Sequence, residues 1–183
     1  MNYDAAAERL GVEVAAVKAV AEVESSGVPF WTIGGEKKPP VRLEAHWFGK
    51  FTKYAYNDTY PHISSRSWNP SLAARTHAGA WEQVKEAASL DREAAYKATS
   101  WGAYQIMGFN YRALGFSNVY EMVDAMNTEE GQLDGFVRFI LADAVLLDAL
   151  RRKDWHAFAG RYNGPGQVEH YAAKMADAYA RLA

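Results

Sequence analysis

The chain of 183 residues contains no cysteine. That excludes a disulfide scaffold and thiolate chemistry, and it fits synthesis in a reducing compartment. Long apolar runs are also missing. Charged residues interrupt each one well short of the ~18 positions a membrane-spanning helix needs. The opening Met1-Asn2-Tyr3-Asp4 carries no basic segment and no apolar core follows, so no secretory signal peptide is expected. A basic excess is lacking too: 20 Lys and Arg against 22 Asp and Glu give a net charge of −2. This argues against an extended nucleic-acid footprint and against a polybasic membrane tail. There is no His-Glu-x-x-His, and His46, His62 and His77 do not fall at metal-binding spacings with nearby acids. No metal or other cofactor is expected. Neither a serine nucleophile elbow nor a phosphate loop is evident. With no repeat, low-complexity tract or linker, residues 1–183 read as one domain around one core, and a monomer is expected.

What is present is apolar and aromatic. Hydrophobic residues make up 49%, enough for a packed globule. Aromatics reach 14%, with six Trp and eleven Tyr. Individually such rings fill cores; as a group they also suit a groove that stacks on flat sugar faces. Helical signals dominate. Helices are predicted near 3–10, ending at Gly11, and 13–25, ending at Ser26-Gly27. Others are predicted near 45–55, 78–89, 92–98, 109–114 and 119–126. Asp91 caps the helix at 92, and Asn118 with Glu121 resembles a capping box. The longest helix is expected over 129–152 after Thr128. Its face of Leu133, Phe136, Val137, Ile140, Leu141, Ala144 and Leu147 would make it the central core helix. Asp154 starts a helix running to Tyr162, which Asn163-Gly164-Pro165-Gly166 breaks. A last helix carries Val168, Tyr171, Ala172, Met175 and Leu182 on one face. Gly34-Gly35 and Pro39-Pro40 mark residues 28–43 as loop with a short hairpin; 56–70 look irregular. The fold class is mainly α, with at most a small sheet in the first third.

Two carboxylates stand out. Glu24 shares a helix face with Val17, Val20 and Ala21, while Glu22 falls four residues after Lys18, a normal exposed pair. Glu24 also lies in the last helical turn, where the macrodipole disfavours negative charge. Desolvation and dipole both raise its pKa, as a general acid requires. Glu44 sits between the extended Pro39-Pro40-Val41-Arg42-Leu43 and an aromatic helix with Trp47, Phe48 and Phe51. There the helix N-terminus, Arg42 and His46 favour the ionised form. One protonated acid and one carboxylate suit glycoside hydrolysis.

Three local patterns add to this pair: Glu24-Ser25-Ser26-Gly27, Ser100-Trp101-Gly102 through Gln105-Ile106-Met107-Gly108, and Arg161-Tyr162-Asn163-Gly164-Pro165-Gly166. Together they resemble segments of goose-type lysozymes and soluble lytic transglycosylases. With Val20-Ala21-Glu22-Val23 ahead of the first, Pro40-Val41-Arg42-Leu43-Glu44-Ala45-His46-Trp47-Phe48, and Phe109-Asn110-Tyr111 after the second, the chain is similar to the N-acetylmuramidase domains of phage endolysins active against Gram-negative bacteria. The resemblance implies a lysozyme-like fold. It further implies cleavage of the β-1,4 bond after N-acetylmuramic acid in peptidoglycan, with Glu24 as acid and Glu44 assisting. It also implies accumulation in a host cytoplasm, without stable membrane insertion, and action on periplasmic wall after release. Ala45 departs from the family, which often has a basic residue there, and the loop from Phe30 to Lys38 is longer than usual. Ser100, Gln105, Tyr111, Tyr162 and Asn163 are candidate substrate contacts; Ser100 and Gln105 equally suit local turn capping. Gly102 and Gly108 suit close approach or unusual dihedrals. Two rival readings remain open: a lytic transglycosylase forming anhydro ends, which needs no second carboxylate, and a silent wall-binding module.

Overall fold

The structure is a computed structural model that describes residues 2–183. Helix α1 (Tyr3–Leu10) is capped by the Asn2 side chain and ends in left-handed Gly11. Helix α2 (Val14–Ser25) buries a strip of small residues, Ala15, Ala16, Val17, Ala19, Val20 and Ala21. That strip lets the last helix, α10 (Val168–Leu182), lie close alongside. Between them in sequence, β1 (Trp31–Ile33) and β2 (Glu36–Lys38) form the expected antiparallel hairpin, with Trp31 opposite Lys38. A second antiparallel sheet joins distant segments: β3 (Val41–Leu43), β4 (Thr99–Trp101) and β5 (Ile106–Met107), in that order. Val41 pairs with Trp101 and Leu43 with Thr99. Of these three strands, only β3 lies in the first third of the chain. Strands β4 and β5 are too short to carry a readable alternation.

Helices α4 (His77–Leu90), α5 (Arg92–Lys97), α6 (Val119–Ala125) and α9 (Trp155–Tyr162) follow the predicted ranges. The side chains of Asp91, Asn118 and Asp154 each accept a first-turn N–H. Three expectations are corrected. Helix α3 (Ala45–Phe51) is shorter than 45–55. The Thr52 hydroxyl donates to the Phe48 carbonyl at 2.8 Å, and Lys53 and Tyr54 turn left-handed, φ 54° and 64°. The helix expected at 109–114 is a single 3-10 turn, Gly108–Asn110, followed by irregular turns. The helix expected over 129–152 is two: α7 (Glu129–Leu141) and α8 (Ala144–Arg152). Asp143 separates them in extended conformation, accepting from the Val145 and Leu146 N–H groups and from Arg161 Nε at 2.6 Å.

This break re-phases the apolar face. Leu133, Phe136, Val137 and Ile140 of α7 are buried, but Leu141 is 45% exposed and α8 instead buries Leu146, Ala149 and Leu150. Leu182 likewise lies outside the core, which takes Met175 and Ala178 from α10. The expected Lys18–Glu22 pair does not form: Glu22 pairs with Arg181, and Lys18 Nζ lies 5.3 Å from the Tyr3 ring. One continuous core includes Leu10, Phe48, Trp101, Tyr104, Phe136 and Phe158. Among the described residues, no helix is long and apolar enough to cross a membrane.

Candidate active site

Glu24 is the penultimate residue of α2, at the end of the buried strip. Burial raises its pKa to about 7, against the opposing pull of a hydrogen bond from Asn163 and the charge of Arg42. Asn163 caps the C-terminus of α9 and donates from Nδ2 to Glu24 Oε1 at 2.7 Å. The other face of that amide, Oδ1, is buried with no hydrogen-bond partner among the described residues. Tyr162, one residue earlier, packs parallel to Phe158 and donates its hydroxyl to the Tyr104 carbonyl at 2.6 Å. Burial, then the Glu24 charge, holds the Tyr162 phenol well above its ordinary pKa, so it stays neutral within reach of the carboxyl.

Two adjoining cavities, of about 400 and 280 Å³, meet over Glu24. Both are walled by Glu24, Trp31, His77 and Gln105. The rings of Trp31 and His77 stack parallel, centroids 3.9 Å apart, tying the β1–β2 hairpin to the first turn of α4. Beneath them the Gly102–Gln105 turn is braced on all sides. Gly102 has φ +74°, and a Cβ there would approach the Gln132 side chain to 2.9 Å. Gln132, only 1% exposed, accepts from Ala103 N and donates to the Pro29 and Met126 carbonyls, each bond 2.8–2.9 Å. The Ser25 hydroxyl donates to the Ala103 carbonyl at 2.9 Å. Gly108 permits close approach, since a Cβ would lie 2.0 Å from the Tyr96 carbonyl oxygen.

The structure brings together some of the expected residues and not others. Glu24 and Gln105 share both cavity walls, while Asn163 and Tyr162 line neither and reach the site through Glu24, by a hydrogen bond and by its charge. Gln105 sits on both cavity walls, but its own amide is engaged, donating to Gly102 O at 3.0 Å and accepting from Ser100 Oγ at 2.8 Å. Ser100 is buried beneath it and lines neither cavity, so its contacts match the turn-bracing role. Tyr111 is also buried and away from both cavities; its hydroxyl accepts from Arg112 Nε. Glu44 is the residue before α3 but does not cap it. Its carboxylate instead meets Arg42 Nε at 3.0 Å and His46 Nδ1 at 3.6 Å. Arg42 lines the smaller cavity; Glu44 lines neither.

Sequence reasoning missed Trp31, His77, Arg75 and Gln132, and also Tyr171 on α10. Burial first, then the charges of Glu24 and Glu44 against that of Arg42, raise the Tyr171 pKa. Tyr171 therefore lies within electrostatic reach of Glu24, Arg42 and Glu44. No local periodicity marks the loop residues; Tyr171 was legible only as part of an apolar face. Among the described residues, no cluster of acids and histidines is placed to hold a metal.

A protonated carboxyl at the junction of two cavities with aromatic walls can donate a proton to a bound glycosidic oxygen. The comparisons with known proteins agree with that chemistry. The family model for N-acetylmuramidase matches residues 13–183. The chain belongs to the N-acetylmuramidase family. The muramidase is similar to a solved crystal structure, that of the Burkholderia AP3 phage endolysin. The two share 39% identity with a TM-score of 0.83, over 98% of this chain and 68% of that one. No curated protein matches the muramidase. It is a glycoside hydrolase of peptidoglycan with the lysozyme-like, mainly α architecture.

Proposed function

We propose that this muramidase is an endolysin that hydrolyses the β-1,4 bond between N-acetylmuramic acid and N-acetylglucosamine, with Glu24 as the general acid. The observation that carries the assignment is a carboxyl with a pKa of about 7 at the floor of both cavities. In the reaction Glu24 gives its proton to the O4 leaving oxygen as the C1–O4 bond breaks. Water adds its oxygen to C1, and its spare proton passes to the Glu24 carboxylate, which restores the acid. Asn163 fixes the carboxyl, and Glu44 assists through the Arg42 charge it partly neutralises. Residues 1–183 act as one catalytic domain and one monomer. The protein is made in a bacterial host's cytoplasm and meets the periplasmic wall on release, without inserting stably in the membrane or binding nucleic acid.

Glu24→Gln keeps an acceptor for Asn163 and removes only the proton. Lysis of purified walls should fall by about 10²–10⁴-fold with the fold intact by circular dichroism; wild-type clearing by this variant overturns the assignment. One observation favours a second reading, lytic transglycosylation. Glu44 lines neither cavity, and that reaction uses one acid while the substrate's own hydroxyl attacks. Mass spectrometry of the digest separates the two. Reducing muramic ends support hydrolysis, and ends lighter by one water support the alternative.

A further inference from the structure

The two cavities share Glu24 but differ in chemistry. The larger one is walled by Val28, Phe30, Pro40 and the hydroxyl-bearing Ser25, Ser26 and Thr32, with no arginine or lysine on its walls. The smaller one carries two guanidinium groups, from Arg42 and Arg75. Arg42 spends one edge on Glu44, bonded through Nε, which leaves its terminal nitrogens as further donors. Arg75 is exposed and makes no ion pair among the described residues. It precedes Thr76, whose hydroxyl accepts from the Gly79 N–H and fixes the start of α4, so its backbone is held at the cavity rim.

The two sugars of the substrate differ in the same sense. N-Acetylglucosamine is neutral. N-Acetylmuramic acid carries a lactyl ether that ends in a carboxylate, or in a stem peptide with carboxylates of its own. A bond cleaved after the muramic residue puts that residue on one side of the acid and the glucosamine on the other. We propose that the glycan crosses Glu24 in one direction, the muramic residue in the Arg42–Arg75 cavity and the leaving glucosamine in the aromatic cavity, and that Arg75 is the specificity-determining residue that selects the carboxylate-bearing sugar. A guanidinium pairs with a carboxylate through two parallel N–H···O bonds, which fixes orientation as well as sign. The reversed strand would set the carboxylate in a cavity without arginine or lysine and leave both guanidiniums facing a neutral ring, a mismatch that penalises the wrong register.

This rests on Glu24 as the acid, and the test separates the two ideas. Three soluble glycans are compared: one bearing stem peptides, one stripped of peptide so that the lactyl carboxylate is free, and the stripped glycan with that carboxyl converted to its methylamide. Arg75→Gln should raise KM about tenfold on the carboxylate-bearing glycans, leave kcat within about twofold, and leave KM on the methylamide unchanged. A loss confined to the stripped glycan assigns the contact to the lactyl carboxylate, and one confined to the peptide-bearing glycan assigns it to the stem; each supports the proposal. Arg75→Lys should recover part of the loss. Equal KM changes on charged and methylamide glycans, or no change on any, overturn it. Failure of the Glu24 assignment would show separately, as turnover by Glu24→Gln.

Discussion

At the scale of single residues, the site turns on how Glu24 keeps its proton. Burial removes solvation from the charged form and raises the pKa; Asn163 and Arg42 work in the opposite direction, and the balance lands near 7. In the proposed role Glu24 must be protonated to act, so kcat/KM should hold below pH 7 and fall as pH rises through about 7. Glu44 bears on the same balance. Its negative charge sits on Arg42 at 3.0 Å and offsets part of the field that Arg42 exerts on Glu24. In Glu44→Gln that offset is gone, the net field at Glu24 becomes more positive, and the ionised form gains. The alkaline limb of the kcat/KM profile should therefore move to lower pH, whatever happens to the absolute rate. A limb that stays in place or moves upward would show that Glu44 does not act through Arg42.

At the scale of elements, what could be read from sequence was local. Asp91, Asn118, Thr128 and Asp154 announce helix starts because a short polar side chain satisfies a first-turn N–H, and each does so in the structure. The end of α2 and the apolar stripe leading to Glu24 were legible for the same reason: both are properties of one segment. The break between α7 and α8 was not. Leu141, Ala144 and Leu147 continue the stripe of Leu133 and Ile140 on paper, whereas in the structure Asp143 is extended and engaged by two cap bonds and by a tertiary bond from Arg161. The wall residues Trp31, Arg75 and His77 come from a hairpin, a loop and the first position of α4, where no periodicity points, and Asn163 was suggested by a resemblance rather than by its own surroundings. Asp143→Ala removes both the cap and the Arg161 contact. It should cost about 1–2 kcal/mol of stability, read by urea denaturation, with little change in KM because α8 lies away from both cavities.

At the scale of the whole molecule, the site is a junction of remote parts. The proposed acid comes from α2, its amide partner from the end of α9, the brace Gln132 from α7, and much of the cavity walls from the hairpin and α4. Helix α10 clamps the assembly: it lies along α2, pairs Arg181 with Glu22, and bonds the Tyr179 hydroxyl to Glu13. A chain cut after Asn163 keeps every residue of the cavity walls and loses this clamp, exposing the small-residue face of α2. We expect such a chain to be soluble only in part, to show reduced near-ultraviolet dichroism, and to release no fragments from walls.

The 139-position separation of Glu24 and Asn163 in the chain also sets an order of events during synthesis. A ribosome that has released α2 has made the acid but nothing to hold it. The carboxyl stands in water with an ordinary affinity for its proton until α9 and α10 emerge and dock. On the proposed role of Glu24, a chain terminated before α9 lacks the Asn163 contact and should release no fragments from cell wall.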